Sequence, residues 1–235
     1  MINECIILAG GLGTRLRSAV PDLPKCMAPV AGRPFLSFVI NRLIQQGAKK
    51  FIFSLGYKYE MIQDFVNTQY PQLKSQYSIE ADPLGTGGAI KLAAKKVTAK
   101  TALVVNGDTL FNIRLNTLDA FHQEHGADCT LSLKPMKNFD RYGIVELNTD
   151  QRIKSFREKQ FYKEGLINGG IYALQVTKFL EEAFPEKFSF EKDYLEKLYT
   201  TRQMFGVIQD EYFIDIGIPE DYEKAGREFE NLKIC

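Results

Sequence analysis

What is scarce in this chain narrows its chemistry. Only two histidines occur, His122 and His125. Their H-Q-E-H spacing is one residue short of the zincin pattern, and the segment reads as an exposed helix, which speaks against a histidine-held metal. The four cysteines, Cys5, Cys26, Cys129 and Cys235, lie far apart with no Cys-x-x-Cys pair. Neither a zinc site nor a disulfide frame is expected, and the thiols read as reduced and structural. No apolar run approaches the roughly 18 residues that a bilayer-spanning helix needs. The N-terminus enters a strand-like segment almost at once, without a charged-then-apolar leader, so a cytoplasmic protein with no membrane contact is expected. Neither sign of charge is in excess: 30 Lys and Arg against 29 Asp and Glu give a formal net charge of +1. That balance offers no broad basic surface for nucleic acid. Repeats, low-complexity tracts and long linkers are missing too, and 235 residues suffice for one large α/β core. One domain over residues 1–235 is expected.

What is present begins with Leu8-Ala9-Gly10-Gly11-Leu12-Gly13-Thr14-Arg15-Leu16, followed by Pro24-Lys25. The loop leaves Cys5-Ile6-Ile7-Leu8, an apolar run that reads as a buried parallel strand. Glycines leaving a strand let backbone N–H groups approach a polyphosphate with no Cβ in the way. Arg15 and Lys25 add fixed positive charge to the same small volume. The better-known phosphate motifs do not apply. A G-x-G-x-x-G fingerprint starting at Gly11 would place its last glycine on Leu16, and no Gly-Lys-Ser/Thr ends a Walker A loop.

Strand-like and helix-like patterns alternate through the first half. Strands are expected at Cys5–Leu8, Phe51–Leu55, Tyr77–Glu80 and Ala102–Asn106. Helices are expected at Phe35–Ile44, between Pro34 and Gly47, at Tyr59–Tyr70 and at Gly88–Val97. Repeated β-α-β of this kind gives a Rossmann-like, mostly parallel sheet with helices on both faces and ligands at the carboxyl ends of its strands. The second half carries short strands at Cys129–Lys134, Gly143–Leu147, Ile153–Arg157 and Gly170–Leu174, which suggest a smaller antiparallel portion. Helices about Val176–Phe184 and Phe190–Tyr199 follow, then strands at Met204–Ile208 and Tyr212–Ile216 and a last helix opened by Pro219. Asp108, just past a buried strand, and Asp215, inside the apolar Phe213–Gly217 segment, are the metal candidates. Magnesium takes hard oxygen ligands, commonly one or two carboxylates plus substrate phosphates, and an unpaired carboxylate in an apolar strand is costly.

The glycine loop and Pro24-Lys25-Cys26-Met27-Ala28-Pro29-Val30-Ala31-Gly32-Arg33-Pro34 together resemble the signature of the sugar-1-phosphate nucleotidyltransferases. The family form is GGxGTRL, then PKPMxPVxGKP. Cys26 replaces the usual proline and Arg33 the common lysine, and neither change removes a charge. Asp82–Ala89, Asn106-Gly107-Asp108, Glu158-Lys159, Asn168-Gly169-Gly170 and Asp215-Ile216-Gly217 continue the resemblance in the family's order. It implies attack by a sugar 1-phosphate on the α-phosphorus of a nucleoside triphosphate, with pyrophosphate leaving. The nucleophile is already an anion, so no catalytic base is required, and positioning plus electrostatics must do the work.

The resemblance also implies roles. Arg15 would hold the β- and γ-phosphates, and Lys25 the phosphates about the reacting centre. Leu8, Ala9, Gly10, Gly11, Gly13, Thr14, Gly85 and Thr86 would meet the nucleotide, and Gly143, Glu158, Lys159 and Asn168 the sugar phosphate. Asp108 and Asp215 would hold Mg2+. Residues about 1–128 form the nucleotide-binding half and about 129–235 the sugar-phosphate half, with no C-terminal β-helix. Within the family, Ser54–Glu60 and Pro83–Lys91 resemble the guanylyltransferases of D-glycero-α-D-manno-heptose 1-phosphate, which use GTP to supply bacterial surface glycans. Mannose, glucose and N-acetylmuramate 1-phosphates stay open as substrates, with GTP, UTP or CTP as donor, and so does a monomer or small homo-oligomer. A metal-dependent glycosyltransferase is the more distant reading. Such enzymes show Asp-x-Asp where this chain has Asn106-Gly107-Asp108, and lack the Arg15 and Lys25 pair.

Overall fold

The computed structural model describes residues 1–231 with the exception of 12, 14, 15, 17 and 18. In chain order the first half holds β1 (Glu4–Leu8), the short β2 (Pro29–Val30) and β3 (Arg33–Pro34), α1 (Phe35–Gln45), β4 (Lys50–Leu55), α2 (Tyr59–Gln69), β5 (Lys74–Ile79), α3 (Gly85–Ala94) and β6 (Thr101–Asn106). The second half holds β7 (Thr109–Phe111), α4 (Leu115–Glu124), β8 (Cys129–Phe139), β9 (Ile144–Leu147), β10 (Ile153–Arg157), β11 (Tyr162–Gln175) and α5 (Val176–Glu181). A π-helical turn (Phe190–Leu195) then runs into α6 (Glu196–Leu198), followed by β12 (Met204–Ile208), β13 (Phe213–Asp215) and α7 (Pro219–Asn231).

β5, β4, β1 and β6 lie side by side and parallel. The period of two along β1 explains why helices cover both faces. Cys5 and Ile7 point to one side with Phe51, Phe53, Leu103 and Val105, where α1 and α7 pack. Ile6 points to the other with Ile52 and Val104, against α3, α5 and the π-helical turn. On the first side Phe229 of α7 seats its ring 4.7 Å from Phe38. The chain runs from β1 outward through β4 and β5, then crosses back to β6 on the other flank of β1. The strand order reverses between β1 and β6, and their carboxyl ends open a crevice there. Leu8 and Asn106 end those two strands.

The second half is less fragmented than the short apolar runs imply. β11 spans 14 residues and pairs antiparallel with β6, β8 and β9, while β12 joins β8 in parallel. A register shift between Asn168 and Tyr172, with Gly170 at φ +71°, bends β11 in the middle. The Gly169-Gly170 pair therefore marks a bulge inside a strand, not its beginning. α3 likewise starts at Gly85, three residues before the expected Gly88. His122 corrects the reading of α4 as an exposed helix. The helix forms, but His122 is 3% exposed, and its Nδ1 lies 2.9 Å from Thr130 Oγ1. Burial pulls its pKa down to about 4 against the pull of Asp119 and Asp128. No described helix is long and apolar enough to cross a membrane.

Candidate functional site

Two short strands solve the problem of bringing Asp108 and Asp215 together. β7 and β13 pair antiparallel with Asp215 opposite Thr109, and Ile216 N–H donates to the Asp108 carbonyl at 3.1 Å. Since β7 follows β6 after a two-residue turn, the ladder delivers Asp215 to the crevice beside Asp108. Lys25 enters from the turn after Pro24. Its Nζ lies 2.5 Å from Asp108 Oδ2 and 3.5 Å from Asp215 Oδ1. Asp215 is further held by the Gly217 N–H at 2.7 Å and the Tyr142 hydroxyl at 3.4 Å. Burial and then the Asp215 charge push the Tyr142 pKa up, so this hydroxyl stays a donor. A Cβ on Gly217 would sit 2.8 Å from Asp215 Oδ1 and 2.9 Å from Lys25 Nζ, so any larger residue there would displace these two side chains from each other. Gly13 plays a matching part at φ +59°, where a Cβ would meet Lys25 Cβ at 3.0 Å.

Three cavities meet at this cluster. The smallest, about 190 Å³, is lined by Leu8, Ala9, Gly11, Gly13, Lys25, Cys26, Asp108 and Gly217. A second of about 720 Å³ extends along the carboxyl ends of β1, β4 and β5, past Gly10, Gly11 and Gly13 to Glu80, Gly85 and Thr86. A third, about 480 Å³, lies on the other side over β11 and takes in Gly143, Glu158, Lys159, Asn168 and Asp215. Asp108 lines the first and second, and Asn106 and Glu191 line both larger ones. Thus Leu8, Ala9, Gly10, Gly11, Gly13, Gly85 and Thr86 share one end of the cleft, and Gly143, Glu158, Lys159 and Asn168 the other. Arg15 and Thr14 lie outside the described residues.

The walls differ in how firmly they are held. Asn168 donates from Nδ2 to the Tyr172 hydroxyl at 2.9 Å and accepts the Gly170 N–H at 3.1 Å, so its amide is fixed facing the cavity. Glu158 and Lys159 are exposed at the mouth. The glycines at the start of α3 also admit a neighbouring segment. A Cβ on Gly85, Gly87 or Gly88 would strike Phe188 or Glu186, and the N–H of Gly87 donates to the Phe188 carbonyl at 3.0 Å. The 186–190 segment thereby packs against the first turn of the helix, while Gly85 and Thr86 still line the cavity.

Glu80 is a site candidate that the sequence reading missed. It follows β5 as Asp108 closely follows β6, but the expected strand Tyr77–Glu80 included it, which hid its position past the strand's carboxyl end. Its Oε2 accepts the Leu84 N–H at 2.8 Å, and its Oε1 accepts no hydrogen bond from the described residues. Burial raises its pKa, the Leu84 N–H opposing. Among the described residues no group of three or more His, Cys, Asp or Glu side chains is placed to hold a metal. Two hard carboxylates converging on one cation fit a divalent ion whose remaining ligands come from substrate phosphates.

Comparison with known proteins agrees with this geometry. The family model described as nucleotidyl transferase matches residues 4–231. The D-glycero-alpha-D-manno-heptose 1-phosphate guanylyltransferase of Aneurinibacillus thermoaerophilus is 49% identical over 228 residues, covering 97% of this chain and 99% of that protein. The enzyme of the same name from Campylobacter jejuni subsp. jejuni serotype O:2 is 48% identical over 219 residues, covering 93% and 96%. Among solved structures, HddC from Yersinia pseudotuberculosis complexed with GMP-PN superimposes with a TM-score of 0.88 at 39% identity, covering 97% of this chain and 100% of that one. With the glycine loop, the Lys25 cluster and the matched span in agreement, the chain belongs to the nucleotidyl transferase family.

Proposed function

We propose that the chain transfers GMP from GTP to D-glycero-α-D-manno-heptose 1-phosphate, giving the GDP-sugar and pyrophosphate. Both relatives carry that name over almost the whole chain. The observation that carries the reading is the position of Lys25, Asp108 and Asp215 where the two larger cavities meet. A phosphate oxygen of the sugar 1-phosphate bonds to the α-phosphorus as the bond to the bridging oxygen of the leaving pyrophosphate breaks. The glycine loop and Lys25 hold the phosphates, and Arg15 and Thr14 belong to the same loop by the family pattern. Lys25 offsets charge that builds on the α-phosphate and the leaving group. Asp108 and Asp215 are the residues that would hold Mg2+, which when bound supplies Lewis-acid charge at the phosphates. Residues 1–128 contribute most of the nucleotide cavity and residues 129–235 most of the sugar-phosphate cavity, where Gly143, Glu158, Lys159 and Asn168 receive the acceptor.

Glu80 supports guanine as the base. A carboxylate accepts only, and the Watson–Crick edge of guanine presents two adjacent donors, N1–H and the 2-amino group. Uracil offers one donor, N3–H, between two carbonyl oxygens, and cytosine one donor, its 4-amino group, beside two acceptors, so neither presents that adjacent pair to Glu80. β5, which Glu80 follows, lies two strand spacings from β1, roughly 10 Å, a reach that suits the span of a nucleoside 5′-phosphate. The cytoplasm, which supplies GTP and magnesium, is the compartment this reading implies. The test is an initial-rate panel of GTP, ATP, UTP and CTP against heptose, mannose and glucose 1-phosphates, with and without Mg2+, read as pyrophosphate release. GTP with the heptose 1-phosphate should lead by at least about tenfold in kcat/KM. A different leading pair would replace the substrates assigned here.

A further inference from the structure

The start of α3 is one wall of the nucleotide cavity, and the π-helical turn is one wall of the sugar-phosphate cavity. They are tied to each other across 105 residues of sequence. Thr86 Oγ1 donates to Glu191 Oε2 at 2.6 Å and accepts the Phe190 N–H at 2.9 Å. Ser189 Oγ donates to the same Glu191 oxygen at 3.1 Å while accepting the Lys192 N–H at 3.1 Å. Below this knot, Phe188 N–H donates to the Leu84 carbonyl at 3.0 Å, and the missing Cβ atoms of Gly85, Gly87 and Gly88 let the two segments touch. The only donor on the Thr86 side chain is thus spent on Glu191 in this structure.

We propose that Thr86 and Glu191 are positioning residues, locking the start of α3 to the π-helical turn so that a nucleotide seated on the first sets the sugar-pocket wall formed by the second. Three features carry this. Glu191 faces both larger cavities, so its carboxylate stands at the partition between them. The turn it belongs to is a π-helix of six residues, a rare conformation that occurs mostly as single turns and frequently at functional sites. The same turn presents Lys192 to the sugar cavity and leads directly into Glu196 of α6, which lines it too, so a shift in the turn moves polar groups that meet the acceptor. The lock acts on the second substrate although Thr86 sits beside the first. It rests on the guanylyl-transfer reading for its choice of substrates alone.

The test is a KM-against-kcat split for Thr86→Val, Thr86→Ser and Glu191→Gln, with GTP and D-glycero-α-D-manno-heptose 1-phosphate. Thr86→Val removes a charge-assisted hydrogen bond and an amide acceptor while keeping the shape. The KM for the sugar phosphate should rise about tenfold while the KM for GTP stays within about twofold. Thr86→Ser, which keeps the hydroxyl, should restore the wild-type split. Glu191→Gln, which keeps an acceptor oxygen but loses its charge, should fall between. A rise in the KM for GTP alone would return Thr86 to the nucleotide and overturn the lock, as would an unchanged pair of constants. Hydrogen–deuterium exchange gives a readout that needs no sugar: GTP should protect residues 188–195 in the wild type and not in Thr86→Val. Equal protection in both proteins refutes the lock, whereas absent turnover of the wild type with this substrate pair refutes only the substrate assignment.

Discussion

Replacing Lys25 with methionine should lower turnover and raise the response to divalent ions at the same time. In the structure the Lys25 side chain is 13% exposed and its ammonium faces two carboxylates, Asp108 at 30% and Asp215 at 19% exposure. With Lys25 the three groups sum to a charge of −1, and without it to −2. Loss of a preorganised cation at the reacting phosphates costs a factor of about 10²–10³ in kcat. The two carboxylates are left facing each other without their counter-charge. Partial exposure reduces that penalty to about 1–2 kcal/mol, which lowers Tm by about 2–8 °C in a chain of this size. A divalent cation binds the doubled charge more tightly, so Mg2+ or Mn2+ should raise the Tm of Lys25→Met by more than that of the wild type. The assays are pyrophosphate release at saturating substrates and thermal unfolding across a titration of MgCl2. Turnover within about fivefold of wild type would remove Lys25 from the transition state. A smaller Mg2+ response in the variant would mean that the two carboxylates do not share an ion.

Three further outcomes follow from the same structure. Glu80→Gln should collapse selectivity for the 2-amino group: the wild type should prefer GTP to ITP by about tenfold or more in kcat/KM, and the variant by less than about threefold; an unchanged ratio would take Glu80 away from the base. His122, held near pKa 4 by burial, is neutral in the fold while the unfolded chain takes up a proton near pH 6.5. Its contribution is therefore present above pH 6.5 and is lost as pH falls toward 4, about 3 kcal/mol in all at up to about 1.4 kcal/mol per pH unit. Denaturant unfolding at pH 7, 6 and 5 should show that slope, and His122→Gln should flatten it. Cys5, Cys26 and Cys129 are buried, and the Cys26 thiol is pushed up to about 12 by burial and then by Asp108. Iodoacetamide at pH 8 should leave all three unmodified in the native protein, by peptide mass spectrometry, and modify them in denaturant.

How much of this was legible beforehand depends on the range of the interaction that fixes each feature. Most of the parallel half of the sheet was legible because β1, β4 and β6 are apolar runs, and Pro34 before α1 and Gly47, at φ +96°, after it set the limits of that helix from neighbouring residues alone; the polar edge strand β5 starts at Lys74, three residues before the expected Tyr77. β11 was read short, because Gly169-Gly170 has the local chemistry of a strand end and only pairing with β6 and β8 on either side of the bend keeps the strand going. His122 opens the polar run His122–His125 in sequence, and its burial comes from the packing of α4 on β8, where its ring meets Thr130. The acidic and basic members of the site were chosen on residue type and family pattern, while their convergence depends on the β7–β13 ladder; β13 lies within the expected Tyr212–Ile216 strand, but the three-residue β7 was not read and the pairing of the two carries no local signature. The glycines of α3 show where residue type stops. A glycine states only that something comes close, and at Gly85 the family pattern named a nucleotide as that neighbour. The protein neighbour that comes close at Gly85, Gly87 and Gly88 is Phe188 or Glu186, about a hundred residues away in the chain. The identity of what fills the missing Cβ is a tertiary fact, and at this helix it makes one wall of the nucleotide cavity a joint with the wall of the sugar-phosphate cavity as well.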